Sequence, residues 1–254
     1  MASHHKCNTL VRSHADLSSW DHIYDRELQN HQHDDDDEGT VWFSESNAEE
    51  TVLKLLDTLA EQGLLRRRDG GNSKASRFLD LGTGNGHMLF RMREAEDDEE
   101  EPWCGEMVGV DYSEASVQLA QRITAQKQAL DSEALGSYQW ECWNFLVSPP
   151  GAWLMDGFDV VLDKGTFDAI SLMEYQSSSQ HPCDSYRQKV TPLLRPHSFL
   201  VVTSCNWTKE ELQEWLAPPN SELYFFDEAK YPTFTFGGHT GQSIVTVVFR
   251  RRGA

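Results

Sequence analysis

The apolar positions of this chain repeat with two different periods, and the change falls near residue 78. Upstream, "NAEETVLKLLDTLAEQG" sets Val52, Leu55, Leu56 and Leu59 on one stripe at helical spacing. It predicts a helix capped by Asn47, with Glu50 completing a capping box and Gly63 at its C-terminus. Before it, "SSWDHIYDRELQ" puts Trp20, Ile23 and Tyr24 on one face and predicts a short helix. From Phe78 onward, short apolar runs alternate with helical patterns. "RFLDLG", "MVGVDY", "YQWECWNF", "FDVVLD" and "SFLVVTS" predict five strands. Between them "HMLFRMRE", a long segment opened by Ser113, and "YRQKVTPLL" ending near Pro196 predict helices. "TKEELQEWL" predicts another, with Thr208 and Glu211 as a capping box. "LYFFDEA" and "SIVTVVFR" predict two closing strands joined through "FGGHTG". Such alternation implies βαβ units and an α/β, doubly wound, mostly parallel sheet. Residues 1–65 are expected to form an N-terminal extension packing on a domain over 66–254. No internal repeat is visible.

Charge narrows the partners. The 254 residues carry a formal net charge of −19, which repels nucleic-acid phosphates and attracts basic partners. Much of the acid sits in two blocks, "DDDDE" at 34–38 and "EAEDDEEE" at 94–101, which predict solvated loops. His31 and His33 beside the first block fix no metal geometry, so no metal is expected. No apolar run approaches the ~20 residues of a membrane span, and the N-terminus has no secretory apolar core. Five scattered cysteines without a C-x-x-C imply neither a disulfide framework nor a zinc site, and suggest the cytosol.

The first strand ends in "DLGTGNG", Asp80 to Gly86, where ligands bind in open α/β sheets. The dinucleotide fingerprint would need glycine at 87, where this chain has His87, and no phosphate-loop motif occurs. Asp80 suits a cationic ligand better than a pyrophosphate. Asp111, ending the second strand in "GVDYS", suits a pair of ribose hydroxyls.

"FLDLGTGNG", "GVDYSEASVQLA", "DKGTFDAISL", "SCNWTKEEL" and "FTFGGHTGQS" together resemble one family. It comprises the seven-stranded S-adenosylmethionine-dependent methyltransferases that modify a lysine of translation elongation factor 1-alpha. "WDHIYDREL" and "VWFSE" resemble its N-terminal segment, so the similarity runs from Trp20 to Phe249. The resemblance implies a Rossmann-like sheet with an antiparallel C-terminal strand, S-adenosylmethionine as cofactor and a cytoplasmic protein substrate. Two departures are Asn144, where the family usually has an aspartate, and Ser44, where "WFG" is typical. An asparagine carbonyl still accepts from an adenine amino group. Pro182-Cys183 is expected to be surface loop rather than a nucleophile, and Ser148-Pro149-Pro150 lies on the wrong side of the fourth strand for an amide-methylating motif.

The cofactor is then expected on Asp80, Gly82, Thr83, Gly84, Asn85, Gly86, Asp111, Tyr112, Asn144 and Phe145, with Trp42 as a lid and Asp163 alongside. Methyl transfer to lysine needs a neutral amine, and free lysine has a pKa of ~10.4. Asp163, ending the fourth strand, is the expected catalytic carboxylate, set to orient the acceptor lysine or take its proton. A turn-capping role for Asp163 is the alternative. Lys164, Phe43, Asn206 and Trp207 are expected around the protein substrate, Lys164 as an anchor for an acid or a carbonyl. Asp168 is expected to be structural. A small-molecule methyltransferase and a non-catalytic S-adenosylmethionine-binding adaptor remain open on this fold.

Overall fold

Two N-terminal helices lead into the sheet: α1 (Leu17–His33) and α2 (Ala48–Glu61). The computed structural model describes residues 17–71, 73–94, 101–130, 137–173, 181–232, 234–236, 239–241 and 243–253. In chain order the rest is β1 (Phe78–Leu81), α3 (His87–Arg93), β2 (Met107–Asp111), α4 (Glu114–Leu130), β3 (Tyr138–Cys142) and β4 (Phe158–Lys164). Then come α5 (Thr166–Ser171), α6 (Pro182–Val190), β5 (Leu194–Ser204), α7 (Lys209–Leu216) and β6 (Leu223–Glu228). A small hairpin of β7 (Phe234–Phe236) and β8 (His239–Gly241) precedes β9 (Val245–Arg251). The main sheet has seven strands in the order β3-β2-β1-β4-β5-β9-β6. Its first five strands pair in parallel, and β9 runs antiparallel to both neighbours. This is the doubly wound sheet that the alternating pattern predicts.

Successive strand residues point to opposite faces, and the core divides accordingly. Phe78, Met107, Trp140, Val160, Leu162 and Val201 pack with the helices α1 to α4. Leu79, Val108, Val161, Leu200, Val247 and Phe249 pack on the other face with Tyr186, Val190, Leu212 and Leu216 of α6 and α7. The stripe Val52, Leu55, Leu56 and Leu59 is buried as expected. Tyr24 and Leu28 of α1 join the same cluster, so the N-terminal helices share the first face's core.

Several local expectations change. Asn47 makes no side-chain cap; it is left-handed (φ 50°), and its carbonyl takes the Thr51 hydroxyl instead. The third strand stops at Cys142, and the Trp143 amide turns back to the Asp111 carbonyl. The helix expected over "YRQKVTPLL" begins earlier, at Pro182, and ends at Val190, while Pro196 already lies in β5. Pro182-Cys183 is therefore a helix start rather than surface loop: proline suits the first helical position, and Cys183 is fully buried. The Thr208–Glu211 capping box forms in full. Most of the second acidic block (95–100) and the "QSSSQ" run lie outside the described residues. No helix among the described residues is long and apolar enough to cross a membrane, and no cluster there could hold a metal.

At the edge of the sheet opposite the glycine loop, Arg77 precedes β1 and is buried. It holds Glu106 through two 2.8 Å bonds and donates to the carbonyls of Trp153, Leu154 and Gly157, with the Phe158 ring 4.5 Å below. A lysine has three donors and no planar fork, too few for the two Glu106 oxygens and three carbonyls together. Arg77→Lys should lower unfolding free energy by about 3 kcal/mol, since buried acceptors lose their donors, as measured by urea denaturation. Cofactor affinity should not change, because the two edges are separated by the length of the strands.

Candidate active site

A pocket opens at the C-terminal edge of β1, β2, β3 and β4. At β1, Gly82, Thr83, Gly84 and Asn85 line its floor. Gly84 is left-handed (φ +57°), and a Cβ there would lie 2.6 Å from the Tyr24 hydroxyl, so glycine is required for α1 to close over the loop. Asn85 turns its amide nitrogen outward to the Glu38 carbonyl at 2.9 Å. The loop is thereby tied to the end of the first acidic block. That block is not simply a solvated loop, because Glu38 also pairs with Lys127 at 3.1 Å and His31 meets the Asp37 carbonyl.

Asp111 lines the pocket at the end of β2. Its Oδ1 accepts from the Ser113 amide and its Oδ2 from the Gly84 amide, both at 3.0 Å. Two oxygens offer about four acceptor directions, so lone pairs remain for a ligand. Burial raises its pKa, against the pull of those two amides. Tyr112, Asn144 and Phe145 complete this end. Asn144 Oδ1 already accepts from the Leu146 amide at 3.1 Å, and one lone pair of that carbonyl remains. Trp20, Trp42 and Phe43 close the top. Trp42 stands edge-on to Trp20, with ring centres 5.0 Å apart. Phe43 has φ 66°, a strained value for a bulky residue. Its ring covers Gly165, where a Cβ would come within 3.1 Å of it.

The structure does not bring the Asp163 carboxylate into this pocket. Asp163 is buried, and its oxygens accept from the amides of Thr166 and Phe167 and, at 2.6 Å, from the Tyr186 hydroxyl. All of these donors lie on α5 and α6, so the residue caps α5 and docks α6. The catalytic and cofactor roles expected of it had placed the carboxylate at the pocket, whose lining does not include it. The physical reason is that the first amides of a helix lack internal partners, and a strand-end carboxylate is within reach of them.

Asp80 is also directed elsewhere, its Oδ2 accepting from Thr83 Oγ1 at 2.7 Å, and it does not line the pocket. Gly86 lies against the Trp140 ring, outside the lining. Trp207 donates its indole N–H to Ser171 at 3.0 Å and packs on Phe167, and neither it nor Asn206 reaches the pocket. Asp168 is buried within α5 and binds Ser204 Oγ and the Cys205 amide, a structural tie between α5 and the end of β5. Lys164 lines the pocket and holds the Trp42 carbonyl at 3.2 Å, with Glu49 at 3.4 Å. Trp20, Tyr24, Trp143, Thr166 and Ile170 also line it and were not expected there. The helical stripe of Trp20 and Tyr24 was visible in the sequence, but a stripe does not say which neighbour it faces.

Among the described lining residues the charged groups are Asp111 and Lys164, amid mainly aromatic and aliphatic walls. That suits a nucleoside without phosphates, joined to a small charged group. S-adenosylmethionine fits this set. A strand-end acid for the ribose, an apolar wall with an amide for the base, and a glycine loop beside them define a methyltransferase of the seven-stranded α/β class.

A family model described as a methyltransferase domain matches residues 72–250. Protein-lysine N-methyltransferase EFM4 of Saccharomyces cerevisiae is 36% identical over 232 residues, covering 91% of each chain. EEF1A lysine methyltransferase 2 of Danio rerio is 35% identical, covering 91% of this chain and 85% of its own. The solved YcgJ protein of Bacillus subtilis shares the fold, with a TM-score of 0.52 at 13% identity over 80% of this chain and 98% of its own. This chain belongs to the protein-lysine N-methyltransferase family that includes EFM4 and EEF1A lysine methyltransferase 2.

The buried carboxylates give a pH signature. In the folded chain burial pushes Asp163 up to about 7, and Asp80 and Asp168 up to about 6. Unfolded aspartates ionise near pH ~4. Folding therefore takes up protons in between, and these groups make stability fall as pH rises from about 4 to about 7. Thermal melting should be lower at pH 8 than at pH 5, and Asp163→Asn should shrink that difference. Its turnover per folded molecule should stay near native, whereas a large loss of turnover at native stability would restore the catalytic role.

Proposed function

We propose that this protein transfers the methyl group of S-adenosylmethionine to a lysine of translation elongation factor 1-alpha. The observation that carries the reading is the single pocket that gathers Asp111, the glycine loop, Asn144 and the Phe43–Gly165 contact. It lies in a chain collinear, over 91% of its length, with named protein-lysine methyltransferases. The net charge of −19 supports docking of a basic protein. Among the described residues Cys104, Cys142, Cys183 and Cys205 form no disulfide, in keeping with a cytoplasmic location.

The bound cofactor supplies a methyl group on a positively charged sulfur, open to attack by a neutral amine. The chain's own residues hold the reactants in line and exclude water. Asp111 accepts from the ribose hydroxyls. The Asn144 carbonyl and the Phe145 ring take the base. Phe43, Ala169 and Ile170 form the apolar wall at the β4 end, where the acceptor side chain enters. Among the described residues no carboxylate faces that wall, Asp163 being engaged by α5 and α6. Apolar surroundings disfavour the lysine ammonium, so its proton leaves to water before the amine closes on the methyl. Just past β5, Asn206 and Trp207 stand outside the pocket lining, with Trp207 held by the Ser171 hydroxyl and packed on Phe167.

Purified protein with labelled S-adenosylmethionine and elongation factor 1-alpha should yield methyl-lysine by mass spectrometry. Labelling of soluble metabolites alone would sink the reading, as would binding without turnover. Asp111→Ala should weaken S-adenosylmethionine by about 1–3 kcal/mol in calorimetry, the worth of a hydrogen-bonded charge. The specificity constant should rise with pH through the alkaline range as the acceptor amine deprotonates, and Asp163→Asn should leave that profile in place.

A further inference from the structure

We propose that Lys164 binds the carboxylate of the cofactor's amino-acid end, and that Glu49, backed by His87, positions its ammonium there. The inference rests on the methyl-donor reading above and assigns one part of that donor to one side chain. It also moves Lys164 from the protein substrate, where the sequence suggested it, to the cofactor.

The sheet supplies the ruler. At the pocket edge the strands follow one another as β3, β2, β1 and β4, each ~4.8 Å from the next. Asn144 and Phe145 follow β3, and Asp111 ends β2. A nucleoside with its base on the first and its ribose on the second extends its 5′ substituent over the ends of β1 and β4. Lys164 is the last residue of β4 and lines the pocket there. Among the described lining residues it is the one cation.

The ammonium is held, yet not fully used. It has three donors. One reaches the Trp42 carbonyl at 3.2 Å, and Glu49 Oε1 stands 3.4 Å away without a hydrogen bond in return. Both distances are long for an N–H···O bond, whose usual value is ~2.9 Å. Glu49 gives its other oxygen to His87 Nδ1 at 2.6 Å. Burial works to raise the Glu49 pKa, but His87 and Lys164 outweigh it and keep the carboxylate ionised below its usual value. His87 opens α3 directly after the glycine loop. The chain Lys164–Glu49–His87 therefore spans from β4 across to that loop, and it aims the ammonium over the place where the amino-acid end would lie. A third partner with a negative charge completes the lysine's shell.

The test compares two ligands by calorimetry: S-adenosylhomocysteine, which has the amino-acid carboxylate, and 5′-methylthioadenosine, which lacks it. In Lys164→Met the first should bind at least tenfold more weakly, as for a lost charge-assisted bond, while the second should change less than about twofold. Lys164→Arg should keep most of the discrimination, and Glu49→Gln should lose part of it. The nucleoside arm also reports folding of each variant. An equal loss for both ligands would overturn the proposal and make Lys164 a clasp on the Trp42 cover. Unchanged S-adenosylhomocysteine affinity would overturn it too. A native protein that binds neither ligand would instead overturn the methyl-donor reading, and this assignment with it.

Discussion

The turns at the C-terminal edge of the sheet have unpaired backbone amides, and buried carboxylates satisfy them. Asp111 takes the amides of Gly84 and Ser113, Asp163 those of Thr166 and Phe167, and Asp168 that of Cys205. Asp80 takes the Thr83 hydroxyl in the same way. A buried amide without a partner costs about as much as a lost hydrogen bond, so each turn keeps its shape only while its acid is in place. These bonds set the glycine loop, the start of α4 and the start of α5, which between them form the pocket floor. The acids are buried to do this, and burial raises the pKa values of Asp80, Asp111, Asp163 and Asp168.

Above that floor, the N-terminal segment is the cover. Its fastenings include Tyr24 against Gly84, Asn85 to the Glu38 carbonyl, and Lys164 to the Trp42 carbonyl and Glu49. Each of these joins a residue of the sheet edge to a residue more than 40 positions earlier in the chain. The cover and the loop therefore share one geometry, and a change at the glycine loop is felt at Trp42 and Phe43. The left-handed Phe43 is kept in place by its contact with Gly165 and by its packing with Ala48, Cys205 and Tyr231.

Much of the architecture was legible in the sequence because it rests on local periodicity. The alternation after Phe78 gave the strands of the main sheet, and the stripe Val52–Leu59 gave α2. Where the reading failed, a local signal met a tertiary competitor. Asn47 looked like a cap, but it ends the turn Ser44–Ser46 in a left-handed conformation, its amide on the Ser44 carbonyl. Pro182-Cys183 looked like loop because polar residues precede it, yet proline starts a helix and Cys183 fills the core beside Tyr186.

The sequence by itself determined the class of fold, the pocket's position at the strand ends, and the residue types that line its floor, because strand-end acids and glycine loops are contiguous motifs. It also carried the family resemblance in blocks such as "DKGTFDAISL". Only the tertiary structure decided which way each strand-end side chain turns. Asp111 and Asp163 both look like strand-end acids in the sequence, but the register sets Asp163 beside Leu81 and so level with Val110, one residue short of Asp111. Asp111 finds its donors in the loop beside the pocket and keeps lone pairs toward it. Asp163 meets the amides of α5 and the hydroxyl of Tyr186, 23 residues away in the chain, and these turn it from the pocket. Partners that distant leave no mark in local pattern, so the orientation of a carboxylate is settled by whichever donors the packed fold brings to it.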